Sequence, residues 1–440
     1  MKKSLLAAVM LSAISFQTLS SDFIKQSIST DYDKKLSNLF VHFHKNPELS
    51  NLEHKTSALL AKELSSQGFE VTTKVGGTGV VAILKNGDGP LVMMRADMDA
   101  LPVEEKSGLP YASKVTQISP ITGKRVPVMH ACGHDVHITS LVGTARLMAK
   151  MKDKWSGTLM LIGQPAEEVG PGAKGMMDDN LWQRFGTPDY ALAFHVEAQG
   201  KAGVVNVLEG SPYAGVDSVD IIVHGIGAHG ASPHSGKDPV YIASQIVVAL
   251  QSLVSRELAP REPGVVTVGS FHSGTKHNII SDKAHLQLTV RNTNEATKKK
   301  LLDGIKRIAI NMGRVAGLPE DKLPEVTVSD MSLPPTVNDK TLARRLKAVW
   351  QNKMGDNFVV SEPPKGMGAE DFPFFTTVPM IPSVYFKVGG TPEADFVRAT
   401  NGGPAVPSHH SPLFKISPAP AIKSGVEATV HALLELFDKK

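Results

Sequence analysis

The chain of 440 residues has a single cysteine, Cys132. One thiol cannot close a disulfide within the chain, so no disulfide framework holds this fold together. An excess of charge of one sign is lacking too: 47 Lys and Arg stand against 43 Asp and Glu, a net +4. That balance leaves no electrostatic footprint for nucleic acid. The one dense basic run, Lys298-Lys299-Lys300, reads as the solvated face of a helix. No internal repeat or low-complexity tract interrupts the sequence.

What is there suits a globular protein. Hydrophobic residues make up 41% of the chain, and the length fits two domains or more. Met1-Lys2-Lys3, an apolar run from Leu5 to Phe16, and Gln17 to Ser21 form the three parts of a secretory signal peptide. The run is too short to span a bilayer as a permanent helix. Residues 1–21 are therefore expected to be removed on export to the periplasm or the outside. No cysteine lies near the cut to carry a lipid, so no stable membrane anchor is expected. In an oxidising compartment a free thiol is a liability unless it is buried or bound to metal.

Short apolar runs mark buried strands: Leu91 to Met94, Thr158 to Gly163, Tyr190 to Phe194 and Met380 to Phe386. Asp31 to Leu64, His137 to Met151 and Ala419 to Phe437 read as helices, the first interrupted at Asn46-Pro47. Chemistry-bearing residues recur just after these strands: Asp97 and Asp99, Glu167 and Glu168, and His195. In open α/β sheets the ligand crevice lies beyond the carboxyl ends of the strands. The texture changes near Ser211. Strand, helix, strand, strand, helix from Val216 to Val315 suggests a small α+β sandwich inserted at 212–328, with 22–211 and 329–440 forming the larger domain.

The lone cysteine sits in His130-Ala131-Cys132-Gly133-His134-Asp135. Thiolate and imidazole are good ligands for divalent transition metals. On its own, Cys-x-His is weak evidence for metal and reads first as an inert buried cysteine beside surface histidines. Six further segments accompany it: His44-Lys45-Asn46-Pro47-Glu48-Leu49, Arg95-Ala96-Asp97-Met98-Asp99-Ala100-Leu101-Pro102, Gln164-Pro165-Ala166-Glu167-Glu168, Gly227-Ala228-His229-Gly230-Ala231, Gly368-Ala369-Glu370-Asp371-Phe372 and His410-Ser411-Pro412. Together and in this order they resemble the M20 family of metallopeptidases, in its amidohydrolase branch of hippurate hydrolases, aminoacylases and auxin-conjugate hydrolases.

The resemblance implies a zinc-peptidase-like α/β catalytic domain with a mixed central sheet, plus an inserted lid and dimerisation domain. It implies two divalent metal ions (Zn, Mn, Ni or Co) on Cys132, His134, Glu168, His195 and His410, with the thiolate bridging. His410 is preferred to His409 because it directly precedes Ser411-Pro412. Glu167 matches the general base, and Asp99 an orienting carboxylate beside the metals. His229 matches a histidine that polarises the substrate carbonyl, often across a dimer; a plain turn histidine is the competing reading. Asn278 and Arg291 align with residues that contact the substrate carboxylate, although Arg291 also reads as a strand-end surface charge. His42, His54, His137, His224, His272 and His277 receive no catalytic role. Two departures bear on the substrate pocket: Ile280 stands where the family usually has proline, and Val196-Glu197-Ala198 after His195 also lacks one. The expected activity is amide hydrolysis of N-acyl amino acids. The rivals are a dipeptidase or carboxypeptidase, and a silent ligand-binding homologue.

Overall fold

The computed structural model describes residues 22–438 except Pro171. The signal-peptide segment 1–21 lies outside the described residues. The chain divides into two compact units. One comprises the chain up to Pro212 with Asn338–Pro363 and the part from Phe374 onward; the other is Tyr213–Val337 with Pro364–Pro373.

The first unit is built on an eight-stranded mixed sheet in the order Glu70–Val75, Gly79–Asn86, Gly157–Gln164, Leu91–Asp97, Tyr190–Lys201, Ser383–Thr391, Val205–Asn206, Val359–Val360. The strands that the apolar runs mark are the parallel centre: Leu91–Asp97 runs parallel to both Gly157–Gln164 and Tyr190–Lys201, and Tyr190–Lys201 to Ser383–Thr391. Strands covered on both faces read as continuous hydrophobic runs, which is why they stand out. The helices His134–Lys150 and Pro418–Phe437 cover the sheet, and nearly every side chain of the former is buried. Their packing puts Phe194, Phe386, Val136, Leu141, Val426 and Val430 into one core.

Two strands run past their apolar runs: the one expected at Met380 to Phe386 is Ser383–Thr391, and its neighbour bears on the site. Tyr190–Lys201 does not stop at His195, because its pairing with the neighbouring strand continues to Thr391 opposite Lys201. His195 is thus held inside a strand, not in the loop that follows one.

The second unit is an antiparallel sheet ordered Gly264–Ser273, Lys283–Asn292, Gly215–His224, Glu325–Val328. Helices Pro239–Ser252 and Glu295–Val315 pack on one face, burying Val219, Ile221, Val223, Leu286 and Leu288 against Ile242, Ile246 and Ile305. Asp238 and Asn294 cap these helices by accepting the Val240 and Thr297 N–H groups. This unit runs past the expected end at 328 and takes in 364–373. The Val216–Leu333 backbone pair holds the first extension, and the Ala214 N–H donated to the Gly368 carbonyl holds the second.

Candidate metal centre

Three short backbone devices present the candidate ligands of the first unit. The first is the exchange of N–H bonds between Leu101 and Met129, 3.0 Å each way, which pins the Cys132 loop beside the end of the Leu91–Asp97 strand. Gly133 then turns the chain into the His134 helix with φ +85°, and a Cβ there would lie 2.3 Å from Val196 Cγ1. Only glycine meets both demands. The second is Ala166, a left-handed alanine (φ +53°) that opens the Glu167-Glu168 turn. The third is His410, also left-handed at φ +66°, whose N–H donates to the Ala131 carbonyl at 2.9 Å.

All five expected ligands come together. Cys132, His134 and His195 place one ligand atom each within 4.8 Å of one another, and so do Cys132, Glu168 and His410. Cys132 Sγ lies 3.4 Å from His195 Nε2; Glu168 Oε2 lies 3.3 Å from His410 Nε2, and Oε1 3.9 Å from His134 Nε2. The thiol is thus common to two triplets. Each buried imidazole is turned by its other nitrogen. His134 Nδ1–H donates to the Asp99 carbonyl at 2.8 Å and His195 Nδ1–H to the Val196 carbonyl at 2.7 Å. Such bonds take up Nδ1 and aim Nε2, the nitrogen a metal takes, into the site.

The donors fit a divalent cation. His134 Nε2 and Glu168 Oε1 are buried with no hydrogen-bond partner among the described residues, a costly state for a polar atom unless something binds it. Negative charge is in surplus. Burial opposes a proton on His134, but Asp97, Asp99 and Glu168 outweigh it and raise the imidazole to about 10. A cation between these groups answers the same demand. Burial, then Glu168 and Glu167, push the Cys132 thiol well up, so thiolate here requires metal. Burial with the nearby His137 and His409 keeps His195 neutral, as a ligand must be. Sulfur, nitrogen and oxygen donors suit Zn, Mn, Ni or Co.

Glu167 reaches the same spot, with Oε2 4.0 Å from His134 Nε2. Asp99 lies beneath it. Its carboxylate accepts Ser50 Oγ–H at 2.6 Å and the Glu168 N–H at 3.0 Å, and its Oδ1 is 3.3 Å from His134 Nδ1. It orients both the histidine and the glutamate turn.

Several further side chains to which the sequence assigns no definite role lie against the site. His137, given no role, is fully buried. Its Nδ1–H donates to Asp97 Oδ1 at 2.5 Å and its Nε2 accepts the Val196 N–H at 2.8 Å. Arg95 Nη1 donates to the other Asp97 oxygen at 2.6 Å. With both oxygens engaged, Asp97 orients His137, and its Oδ2 lies 3.8 Å from His134 Nε2. The i, i+3 spacing of His134 and His137 on one helix face was the available signal. His44 is buried between Asp135 (2.7 Å) and Glu105 (3.0 Å). Burial opposes its charge, yet the two carboxylates raise it to about 9. His409 stands beside the thiol, Nδ1 3.8 Å from Sγ, and its Nε2 accepts the Ala198 N–H at 3.0 Å; His410 is the one that meets Glu168.

The second unit carries the other three expected residues. His229 is exposed, and its Nδ1 accepts the Ala231 N–H at 3.0 Å, which leaves Nε2–H as an outward donor. The Gly230 N–H donated to the Asn278 carbonyl at 2.8 Å ties His229 and Asn278 together. Arg291 is half-buried with no ion-pair partner among the described residues, and burial lowers its pKa. Asn278 lies before one end of the strand Lys283–Asn292 and Arg291 at the other. Those ends are about 27 Å apart at ~3.4 Å per residue. The structure does not bring Asn278 and Arg291 together.

A mixed α/β sheet beside which a loop thiol, imidazoles and carboxylates surround a cation-demanding centre fits a metal-dependent hydrolase. A sequence model of peptidase family M20/M25/M40 matches residues 93–401, and the chain belongs to that family. Thermostable carboxypeptidase 2 of Saccharolobus solfataricus is 37% identical over 89% of this chain and 92% of its own length. The hippurate hydrolase of Campylobacter jejuni subsp. jejuni is 37% identical over 76% of this chain and 82% of its own. Among solved structures, the YXEP protein of Bacillus subtilis, a dinuclear metal binding peptidase from the M20 family, superposes with a TM-score of 0.73. It is 27% identical and covers 93% of this chain and all of its own.

Proposed function

We propose that this protein hydrolyses the amide bond of N-acyl amino acids, using two divalent cations held by Cys132, His134, Glu168, His195 and His410. The observation that carries the proposal is the thiol shared by two ligand triplets. Bound there, the cations would supply Lewis acidity for the attacking water and the amide carbonyl. The protein's own groups do the rest. The Glu167 carboxylate takes a proton from the attacking water and hands it to the departing amine nitrogen. Asp99 keeps His134 and the Glu167-Glu168 turn in register. His229 Nε2–H donates to the carbonyl oxygen as charge develops there, and Arg291 pairs its guanidinium with the substrate carboxylate.

The unit around 212–328 serves in this reading as lid and dimerisation domain. With Asn278 and Arg291 at opposite ends of one strand, a homodimer lets a site draw on each from a different copy. The segment 1–21 directs export. Similarity to the Saccharolobus carboxypeptidase supports a second reading, removal of a carboxy-terminal residue from small peptides; Arg291 suits either substrate class. A panel of N-acetyl and N-benzoyl amino acids against dipeptides, run with each of the four metals, separates the readings. Faster turnover of dipeptides contradicts the deacylase assignment. Tight binding without turnover of anything contradicts catalysis.

A further inference from the structure

Glu53 has no part in the chemistry above, yet it is completely buried within hydrogen-bond reach of the turn that carries Glu167. Its carboxylate accepts three bonds. Thr78 Oγ1–H reaches Oε2 at 2.5 Å, while the Asn51 N–H at 3.0 Å and the Ala166 N–H at 2.8 Å both reach Oε1. Ala166 is the left-handed residue (φ +53°, ψ +37°) from which Glu167 and Glu168 project. Left-handed backbone is unfavourable for an L-residue and persists when its surroundings over-determine it. Two contacts do so here. Gly172 packs so closely on the Pro165 carbonyl oxygen that a Cβ would come within 1.8 Å of it, and Glu53 holds the Ala166 N–H. Two residues on, Asp99 takes the Glu168 N–H. The segment from Ser50 to Glu53 therefore underpins the turn twice, through Ser50 to Asp99 and through Glu53 directly.

We propose that Glu53 is a positioning residue for the general base and for the neighbouring metal ligand: by fixing Ala166 in the left-handed conformation, it aims Glu167 and Glu168. The inference rests on the reading of Glu167 as base and Glu168 as ligand, and extends it to a residue outside the site. Glutamine keeps the geometry. Its Oε1 accepts the Asn51 and Ala166 N–H groups, and its amide donates to Thr78, whose hydroxyl turns from donor to acceptor. Alanine leaves the Ala166 N–H buried and unpaired.

The test compares E53A, E53Q and T78V with the unmutated enzyme. It uses cobalt-substituted protein, whose visible absorption reports coordination geometry independently of turnover, together with kcat and KM. E53A is expected to change the cobalt spectrum and lower kcat at least 30-fold with KM within about threefold. E53Q is expected to keep the spectrum and at least a third of the activity. T78V, which loosens Glu53 without removing it and is the milder variant if E53A does not fold, should shift the spectrum in the same direction and lower kcat three- to tenfold. An unchanged spectrum in E53A, or in T78V where E53A is insoluble, overturns the proposal. So does an E53Q enzyme as impaired as E53A, since charge rather than aim would then be responsible. E167Q measured alongside separates the two claims: if it stays active, Glu167 is not the base, while the spectra still judge Glu53.

Discussion

Replacing Glu167 by glutamine asks most of the mechanism. Glutamine matches the side chain in size, so the turn, held by the Ala166 and Glu168 N–H bonds to Glu53 and Asp99, keeps its shape. Neither triplet containing Cys132 includes Glu167, so both proposed sites would keep their ligands, although Glu167 also lies with His134 and Glu168 in a third candidate group. What is lost is the proton acceptor near His134 Nε2. A positioned general base contributes about 10²–10⁴-fold, equivalent to about 3–5 kcal/mol of barrier. The expected result is a fall in kcat of that size, KM within about threefold, and unchanged metal per chain by elemental analysis. Hydrolysis of an N-benzoyl amino acid followed across pH supplies the rate and should also lose its acidic limb. A fall of less than tenfold at full metal content would remove Glu167 from the mechanism. A large fall accompanied by metal loss would make it a ligand.

Gly133→Ala places a methyl group 2.3 Å from Val196 Cγ1 at φ +85°, so thermal unfolding should show a loss of about 2–4 kcal/mol, overpacking and strain combined; an unaffected midpoint contradicts the packing account. Arg291→Ala should raise KM roughly 10- to 150-fold for carboxylate substrates, the worth of a charge-assisted hydrogen bond of about 1.5–3 kcal/mol, and leave the corresponding primary amides unaffected; equal effects on both would make Arg291 a structural charge. His44, raised from 6.5 to about 9, adds stability that is fully present below about pH 6.5 and is lost as pH rises through about 9. Denaturant unfolding at pH 6 and pH 10 should therefore show the advantage of the unmutated protein over H44Q shrinking by about 3 kcal/mol; a constant difference would mean that folding leaves the His44 pKa unshifted.

Much of the centre was legible because its donors are tied to features that sequence displays well. Apolar runs locate buried strands, and Asp99, Glu167 and Glu168 follow two of them closely. Cys132 and His134 flank a glycine that the backbone requires. The supports were harder to read. Glu53, Asp97 and His137 act through partners 113, 40 and 59 positions away, on Ala166, His137 and Val196, and a buried polar side chain carries no periodic mark of its own. His195 was expected beyond its strand because the apolar run ends there; the partner strand that carries the pairing on to Lys201 lies nearly two hundred residues later. The assignment of 364–373 to the second unit likewise depends on one long-range backbone bond, from Ala214 to Gly368.

Cys132 would serve both proposed cations, since it belongs to both ligand triplets. This shared role is tested most directly by metal content per chain in the unmutated protein and in Cys132→Ala, measured by elemental analysis after equilibration with zinc or manganese and removal of the excess. The account predicts two equivalents in the first and fewer than one in the second, because the substitution takes a ligand from both triplets at once. One equivalent in the unmutated protein, or two that survive the loss of Cys132, would contradict it.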